Sequence, residues 1–167
     1  MQATSSDSDA RPAAASIRTA GLDDLDAIDA VEAQSFVYDR FPRRNLARML
    51  ASPSAVFIIA EIDGDVAGYA AVLFRTGAKV ARLYSIAVAP EHRGHDVASQ
   101  LLAKAEVLAA RWGRDRMRLE FRSSNDRAHR LYLRAGYAAL ATKPDYYGDG
   151  ETAIRMEKRL GPAPASD

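Results

Sequence analysis

The stretch that decides the fold of this chain is Leu83–Ala98, LYSIAVAPEHRGHDVA. An apolar run passes into a short polar loop that contains Gly94, and the loop opens directly into an amphipathic helix. Such a junction points unpaired backbone N–H groups and the positive end of the helix dipole at one spot, which suits a phosphate. Arg93, His92 and His95 add positive charge there. The residues favour a phosphate-binding turn, with an ordinary strand-to-helix junction as the alternative.

Two histidines in this loop also raise the question of a metal site. A zinc site needs at least three protein ligands, and the only other histidine, His129, falls in a separate predicted helix. We therefore expect no metal.

Strand-like and helix-like patterns alternate on both sides of the junction. Hairpins come early in the chain and strand–helix units come late, which predicts an α/β (α+β) fold with a mixed sheet covered by helices, in the order β-α-α-β-β-β-α-β-α-β-β. The predicted strands are Ser16–Thr19, Ala55–Ile62, Val66–Phe74, Val80–Val88, Met117–Phe121, Tyr137–Thr142 and Thr152–Lys158, and the predicted helices run from Leu25 to Phe36, Arg43 to Ala51, Val97 to about Gly113 and Asp126 to Ala135.

The length of 167 residues suits one compact domain with a real core. Residues 1–15 are rich in Ser, Ala and Asp and are predicted to be a disordered leader, residues 16–160 a single domain, and residues 161–167 a flexible tail. No apolar stretch approaches the ~20 residues of a membrane span, so we expect no membrane partner.

Charge and cysteine content exclude several function classes. The 23 Lys and Arg residues against 22 Asp and Glu remove any whole-molecule attraction to nucleic acid. The charge is sorted locally: residues 1–39 hold eight acids and two bases, a charge of −6, and residues 91–134 hold ten bases and six acids, a charge of +4. The absence of cysteine excludes disulfides and cysteine intermediates and permits a reducing cytoplasm, the expected location.

The segment Ile86–Leu102, IAVAPEHRGHDVASQLL, resembles the acetyl-CoA-binding motif of the GNAT superfamily of N-acetyltransferases, whose loop pattern Arg/Gln-x-x-Gly-x-Gly/Ala falls on Arg93 to Ala98. The later blocks most resemble the branch that acetylates the N-terminal alanine of ribosomal proteins. The similarity covers roughly Ile17–Leu160 and continues through Leu119–Arg122, Ser124-Asn125, Leu131-Tyr132, Ala135–Tyr137, Asp145–Tyr147 and Ala153–Lys158.

This resemblance implies a GNAT-like fold and acetyl-CoA as the acyl donor. It implies that the β-strand backbone before the loop pairs with the pantetheine arm, that the Val88 N–H contacts the thioester oxygen, and that the loop amides hold the pyrophosphate. Asn125 matches a residue that contacts CoA, although Ser124-Asn125 is also an ordinary helix N-cap. The implied cofactor-binding residues are Ile86, Ala87, Val88, Arg93, Gly94, His95, Asp96, Val97, Ala98 and Asn125.

Asp96 departs from the family pattern because it stands where the loop has its central glycine. It adds a side chain and a negative charge where the family binds pyrophosphate. The carboxylate either points to solvent or caps the following helix, and in both cases we expect weaker CoA binding.

Two residues match catalytic positions of the family. Glu120 matches the general base, which acts through water on the incoming ammonium, and partial burial is expected to raise its pKa; the alternative is an ion pair with Arg118 or Arg122. Tyr132 matches the proton donor to the CoA thiolate, with a packing tyrosine as the alternative.

The acceptor amine is expected between two segments, Phe36–Arg44 and Lys143–Glu151. The candidate substrate-binding residues there are Tyr38, Tyr146 and Tyr147, with carboxylates nearby. The expected acceptor is the α-amino group of a protein or peptide. A small-molecule amine, a lysine side chain, or a non-catalytic acetyl-CoA sensor are the alternatives.

Overall fold

Strands and helices follow one another in the predicted order in a computed structural model that describes residues 14–36 and 39–163. The expected leader up to residue 13, the end of the expected tail from residue 164, and Tyr38 lie outside the described residues. The elements are β1 Ser16–Thr19, α1 Leu25–Ser35, α2 Arg43–Leu50, β2 Ala55–Ile62, β3 Asp65–Phe74, β4 Val80–Val88, α3 Val97–Arg111, β5 Arg116–Arg122, α4 Asp126–Arg134, β6 Ala138–Lys143 and β7 Ala153–Arg159.

The seven strands form one mixed sheet in the order β1-β2-β3-β4-β5-β7-β6, in which only β4 and β5 are parallel. Alternating apolar residues of the central strands cover both faces of the sheet. One face packs against α1 and α2 around Ile28, Leu46 and Tyr69. The other packs against α3 and α4 around Leu101 and Met117. A strand buried on both faces is nearly continuously apolar, as β3 is.

The parallel pair β4–β5 separates after only three residue pairs, from Val80 with Arg116 to Arg82 with Arg118. A β-bulge in β4 accompanies the separation: Ser85 lies opposite Ala71 and Leu83 lies opposite Val72, so Tyr84 is the extra residue. Beyond Arg82 the edge of β4 that faces β5 has no ladder partner within the described ranges. A cleft opens between the two strands.

Gly68 on β3 allows the end of β4 to lie where it does. It is paired with Val88, and a Cβ atom built on it would come within 2.6 Å of the Ala87 carbonyl oxygen. Any side chain at this position would push β4 away, so the glycine sets the position of the strand that borders the cleft.

Candidate active site

A cavity of about 630 Å³ occupies the gap between β4 and β5. Its wall is made by the two separated strands, the turn before α3, one face of α4 and the segment after α1. His95 and Tyr146 are not in this wall, and Tyr38 is outside the described residues. The predicted site residues that the fold brings together here are Ile86, Ala87, Val88, Arg93, Gly94, Asp96, Val97, Ala98, Glu120, Asn125, Tyr132 and Tyr147.

The turn before α3 presents backbone N–H groups to this cavity. The first bond inside the helix runs from the Gln100 N–H to the Asp96 carbonyl, at 3.0 Å. The N–H groups of residues 97–99 precede that bond, and all three residues line the cavity. Arg93, Arg127 and Arg134 also line it. These features suit the negative charge of a diphosphate.

Asp96 occupies the left-handed region of the backbone, at φ 57° and ψ 21°. This is the physical reason that a glycine suits the position, since a Cβ atom is unfavourable there, although aspartate tolerates it better than most residues. The carboxylate makes no capping hydrogen bond with α3, so the capping alternative is wrong. The charge lines the cavity beside the free amides.

Glu120 is buried on β5, with 6% of its side chain exposed. The Arg155 guanidinium donates two hydrogen bonds to the Glu120 Oε1 atom, one from Nε at 2.8 Å and one from Nη2. Arg82 Nη2 lies 3.5 Å from Glu120 Oε2. Burial alone would raise the pKa of Glu120, but hydrogen bonds from Tyr146 and Arg155 and the nearby guanidinium charges together lower it.

Two sequence-based expectations for Glu120 are therefore wrong. Its pKa falls below the ordinary glutamate value, because the Tyr146 hydroxyl and two arginines stabilise the ionised form against the effect of burial. Its ion-pair partners are not Arg118 or Arg122: Arg118 binds Glu157 at 2.7 Å, and Arg122 binds carboxylates of two loops. Glu120 is an ionised hydrogen-bond acceptor in the cleft, and a weaker base than an isolated glutamate.

Tyr132 on α4 lines the cavity and is only 5% exposed. Its ring packs against Phe121 and Tyr137, with centroid distances of 5.4 and 5.8 Å. Burial, together with the neighbouring Tyr147, raises the pKa of the Tyr132 phenol. The phenol stays protonated over the working range of pH and can serve as a hydrogen-bond donor.

Asn125 caps α4. Its side-chain Oδ1 accepts the Ala128 N–H at 3.1 Å, which is the N-cap role expected for asparagine. The residue also lies in the cavity wall. The structural role of Asn125 is therefore visible, and contact with CoA stays a prediction.

Arg122 at the end of β5 joins the two segments expected to hold the acceptor. It binds Asp39 after α1 at 2.7 Å, and Asp149 and Glu151 in the β6–β7 loop at 2.8 and 2.7 Å. Its guanidinium lies over the Tyr147 ring, 4.3 Å from the centroid. The three carboxylates share the Arg122 guanidinium and hold the two loops together, a use that local sequence patterns do not reveal.

The two candidate tyrosines of the β6–β7 loop differ in position. Tyr147 lines the cavity, and burial raises its pKa to about 12. Tyr146 is 42% exposed, and its hydroxyl oxygen lies 3.4 Å from Arg82 Nη2. Tyr147 is therefore part of the cleft wall. Tyr146 lies at the rim of the cleft beside the Arg82 guanidinium, which also faces Glu120.

A cleft lies between two separated parallel strands, with a strand edge on one side and the backbone N–H groups at the N-terminus of α3 on the other. Such a cleft suits a long molecule that carries phosphates and amides. The acetyltransferase (GNAT) family model matches residues 22–137, and the chain belongs to this family. A putative ribosomal-protein-bS18-alanine N-acetyltransferase of Bacillus subtilis is 32% identical over 143 residues, covering 85% of this chain and 93% of that protein.

Solved structures share the fold of this chain. The ribosomal-protein-S18-alanine N-acetyltransferase of Escherichia coli matches with a TM-score of 0.81 at 23% identity, over 90% of this chain and 97% of that one. A putative acetyltransferase of Salmonella typhimurium with its cofactor acetyl-CoA matches with a TM-score of 0.76 at 22% identity, over 93% and 99%. The predicted family and fold are confirmed.

The chain is thus a GNAT N-acetyltransferase that uses acetyl-CoA and an amine. The site fits that donor: within the described residues the edge of β4 beyond Arg82 has no ladder partner and could pair with pantetheine amides, and the amides and arginines of the turn before α3 suit phosphates. No group of three or more metal-ligating side chains forms a metal site within residues 14–36 and 39–163. No helix in the same ranges has the length and apolarity needed to cross a membrane.

Proposed function

We propose that this enzyme acetylates the α-amino group of a protein or peptide N-terminus. The observation that carries the proposal is the pair of segments that Arg122 joins, the segment after α1 and the β6–β7 loop. Both segments supply aromatic lining residues of the cavity, Phe36 and Tyr147. An extended chain end fits between two such loops, and two of the relatives described above are named as ribosomal-protein-alanine N-acetyltransferases.

The donor side of the proposed mechanism uses the backbone of β4. Ile86 to Val88 would hold the pantetheine arm as an added strand, and the Val88 N–H would polarise the thioester oxygen, which stabilises the charge that develops there. The amides of residues 93 to 98 would hold the diphosphate. Because the chain has no cysteine, the amine attacks the acetyl group directly, without a cysteine-bound acetyl intermediate.

The acceptor side uses Glu120 and Tyr132. The ionised Glu120 carboxylate attracts the incoming ammonium and removes a proton through water, the role proposed for the general base. Tyr132 donates its phenol hydrogen toward the sulfur that leaves with CoA. The cysteine-free chain suits a reducing cytoplasm, where we place this reaction.

Thiol release tests the proposal directly. Because the chain has no cysteine, a thiol-reactive dye reports only the CoA that is set free. Hexapeptides with free N-termini should release thiol, and the same peptides with a blocked N-terminus and one internal lysine should not. The proposal would be contradicted if thiol were released with spermidine or with the N-terminally blocked lysine peptides, but not with any peptide that has a free N-terminus.

Asp96 favours one second candidate, a sensor that binds acetyl-CoA without turnover. Its carboxylate stands beside the phosphate-binding amides, where it disfavours the donor. Saturable acetyl-CoA binding without thiol release for any amine in the panel would support the sensor.

A further inference from the structure

Two hydrogen-bonded hydroxyl groups lead from the cleft to a buried carboxylate on α1. Glu32 on α1 is fully buried. It accepts the Tyr69 hydroxyl on one oxygen and the Phe41 N–H on the other, the latter at 3.0 Å. Tyr69 is also fully buried, and its hydroxyl oxygen lies 3.0 Å from Ser85 Oγ. Ser85 lines the cleft.

The direction of these hydrogen bonds follows from the groups themselves. An ionised carboxylate only accepts, and a phenol has one hydrogen. Tyr69 therefore donates to Glu32 and accepts from the Ser85 hydroxyl. This leaves the lone pairs of Ser85 Oγ for a donor in the cleft. The chain thus presents a proton acceptor to the cavity next to Ile86, where the acyl donor is expected.

Ser85 faces the α1 side because it is paired with Ala71 and alternates regularly with Ala87, and the bulge adds Tyr84 to the same side. Tyr84 and Ser85 are consecutive, yet Tyr84 stacks on Phe41 with a centroid distance of 4.7 Å and Ser85 reaches Tyr69, so both side chains lie on the α1 side. In a regular strand they would point to opposite faces. Ser85 thereby connects the cleft to Tyr69 and the buried carboxylate.

We propose that Ser85, Tyr69 and Glu32 form a second proton-accepting path for the amine substrate, beside Glu120. The proposal rests on the proposed function in that the substrate arrives as an ammonium. One proton passes from the ammonium nitrogen to Ser85 Oγ while the Ser85 hydrogen moves to Tyr69 and the Tyr69 hydrogen moves to Glu32. The products are a neutral amine and a neutral carboxylic acid, and the proton returns to water along the same chain after the product leaves.

The groups that face Glu32 are consistent with a proton acceptor. Tyr69 from β3 and Tyr84 from β4 are neutral phenols, Arg40 after α1 favours the ionised form, and Asp29 on α1 disfavours it. Burial dominates and raises the pKa of Glu32. Glu32 therefore binds a proton more readily than Glu120, whose pKa is lowered by the Tyr146 hydroxyl and two arginines.

Glu32→Gln tests the path, since glutamine keeps the size and the bond to Phe41 but cannot take a proton. At pH 6.5 we expect kcat/KM for the amine to fall at least about 10-fold, which is less than the roughly 10²–10⁴-fold of a sole general base because Glu120 still accepts protons. The deficit should shrink to about threefold or less at pH 9.5, because an α-amino group with a pKa near 8 is then already neutral. Ser85→Ala should show the same pH dependence.

Tyr137→Phe is the matched control. It removes a hydroxyl that donates to Glu106 at 2.9 Å, a tyrosine–glutamate pair outside the cavity wall, so any change in rate should be the same at every pH. If the ratio of kcat/KM for Glu32→Gln to kcat/KM for wild type is the same at every pH, the path is overturned and the proposed function stays intact. If wild type acetylates small amines but no peptide, the proposed function fails and the same pH profiles, measured with that amine, still decide the path. Wild-type protein inactive with every amine overturns both.

Discussion

Replacing Asp96 by glycine or by asparagine separates two effects that this residue combines. The carboxylate adds a negative charge beside the amides proposed to bind phosphate. The residue also carries a Cβ atom on a backbone with φ 57°, in the left-handed region. Asparagine removes the charge and keeps the side chain in the left-handed region, whereas glycine removes both. Each variant therefore predicts a different pair of changes in binding and in stability.

The magnitude for binding follows from Coulomb's law. A unit charge about 4 Å from a phosphate charge costs about 1 kcal/mol in a water-like medium, which corresponds to about fivefold in affinity. We expect both variants to bind CoA and acetyl-CoA about fivefold more tightly. Only glycine relieves the backbone, by about 1 kcal/mol, so only Asp96→Gly should raise the free energy of unfolding.

The assay is isothermal titration with CoA at low and high salt, together with urea unfolding of the same proteins. The gain in affinity should shrink in high salt, because exposed charges are screened over about 10 Å at 0.1 M. Unchanged CoA affinity in Asp96→Asn would refute the charge argument. Tighter binding in Asp96→Gly alone would assign the effect to the backbone.

Three further outcomes are expected. Gly68→Ala should lower the free energy of unfolding by about 1–3 kcal/mol and weaken acetyl-CoA binding, because the added Cβ would lie 2.6 Å from the Ala87 carbonyl oxygen. Gly21→Ala is the control: a Cβ at Gly21 has no atom within 4 Å, so the same titrations should show unchanged stability and unchanged binding. Tyr132→Phe should slow kcat about 100-fold with little change in the Kd of acetyl-CoA, while Tyr137→Phe should not; equal effects would leave Tyr132 a packing residue. Hydrogen bonds from Ser124 and Arg122 lower the pKa of Glu151 from 4.5 to about 2. Its ionised form therefore stabilises the fold above about pH 4.5, and this stabilisation is lost as the pH falls toward 2. The free energy of unfolding of Glu151→Gln in urea should depend less on pH between these values than that of wild type, and an equal dependence would contradict the prediction.

Local sequence patterns predict the elements closely. The bounds of β1, β2 and β4 agree with the predicted strands, and α3 begins at Val97 as expected. Periodicity reports which face of an element is apolar, and the turn residues report where it ends, and both depend only on sequence neighbours. The bulge at Tyr84 leaves no comparable signal, because the extra residue is defined by its partner strand.

The sequence alone determined the order of the elements, the turn before α3 and the resemblance to acetyltransferases, because each depends on residues close together in the chain. Only the tertiary structure decided the state of the site. Glu120 binds Arg155, Arg122 binds Asp39, and Glu32 binds Tyr69 across 35, 83 and 37 positions. A pKa and an ion pair depend on distance in space and on burial, and the sheet order together with the packing of α1 and the loops on the sheet sets both.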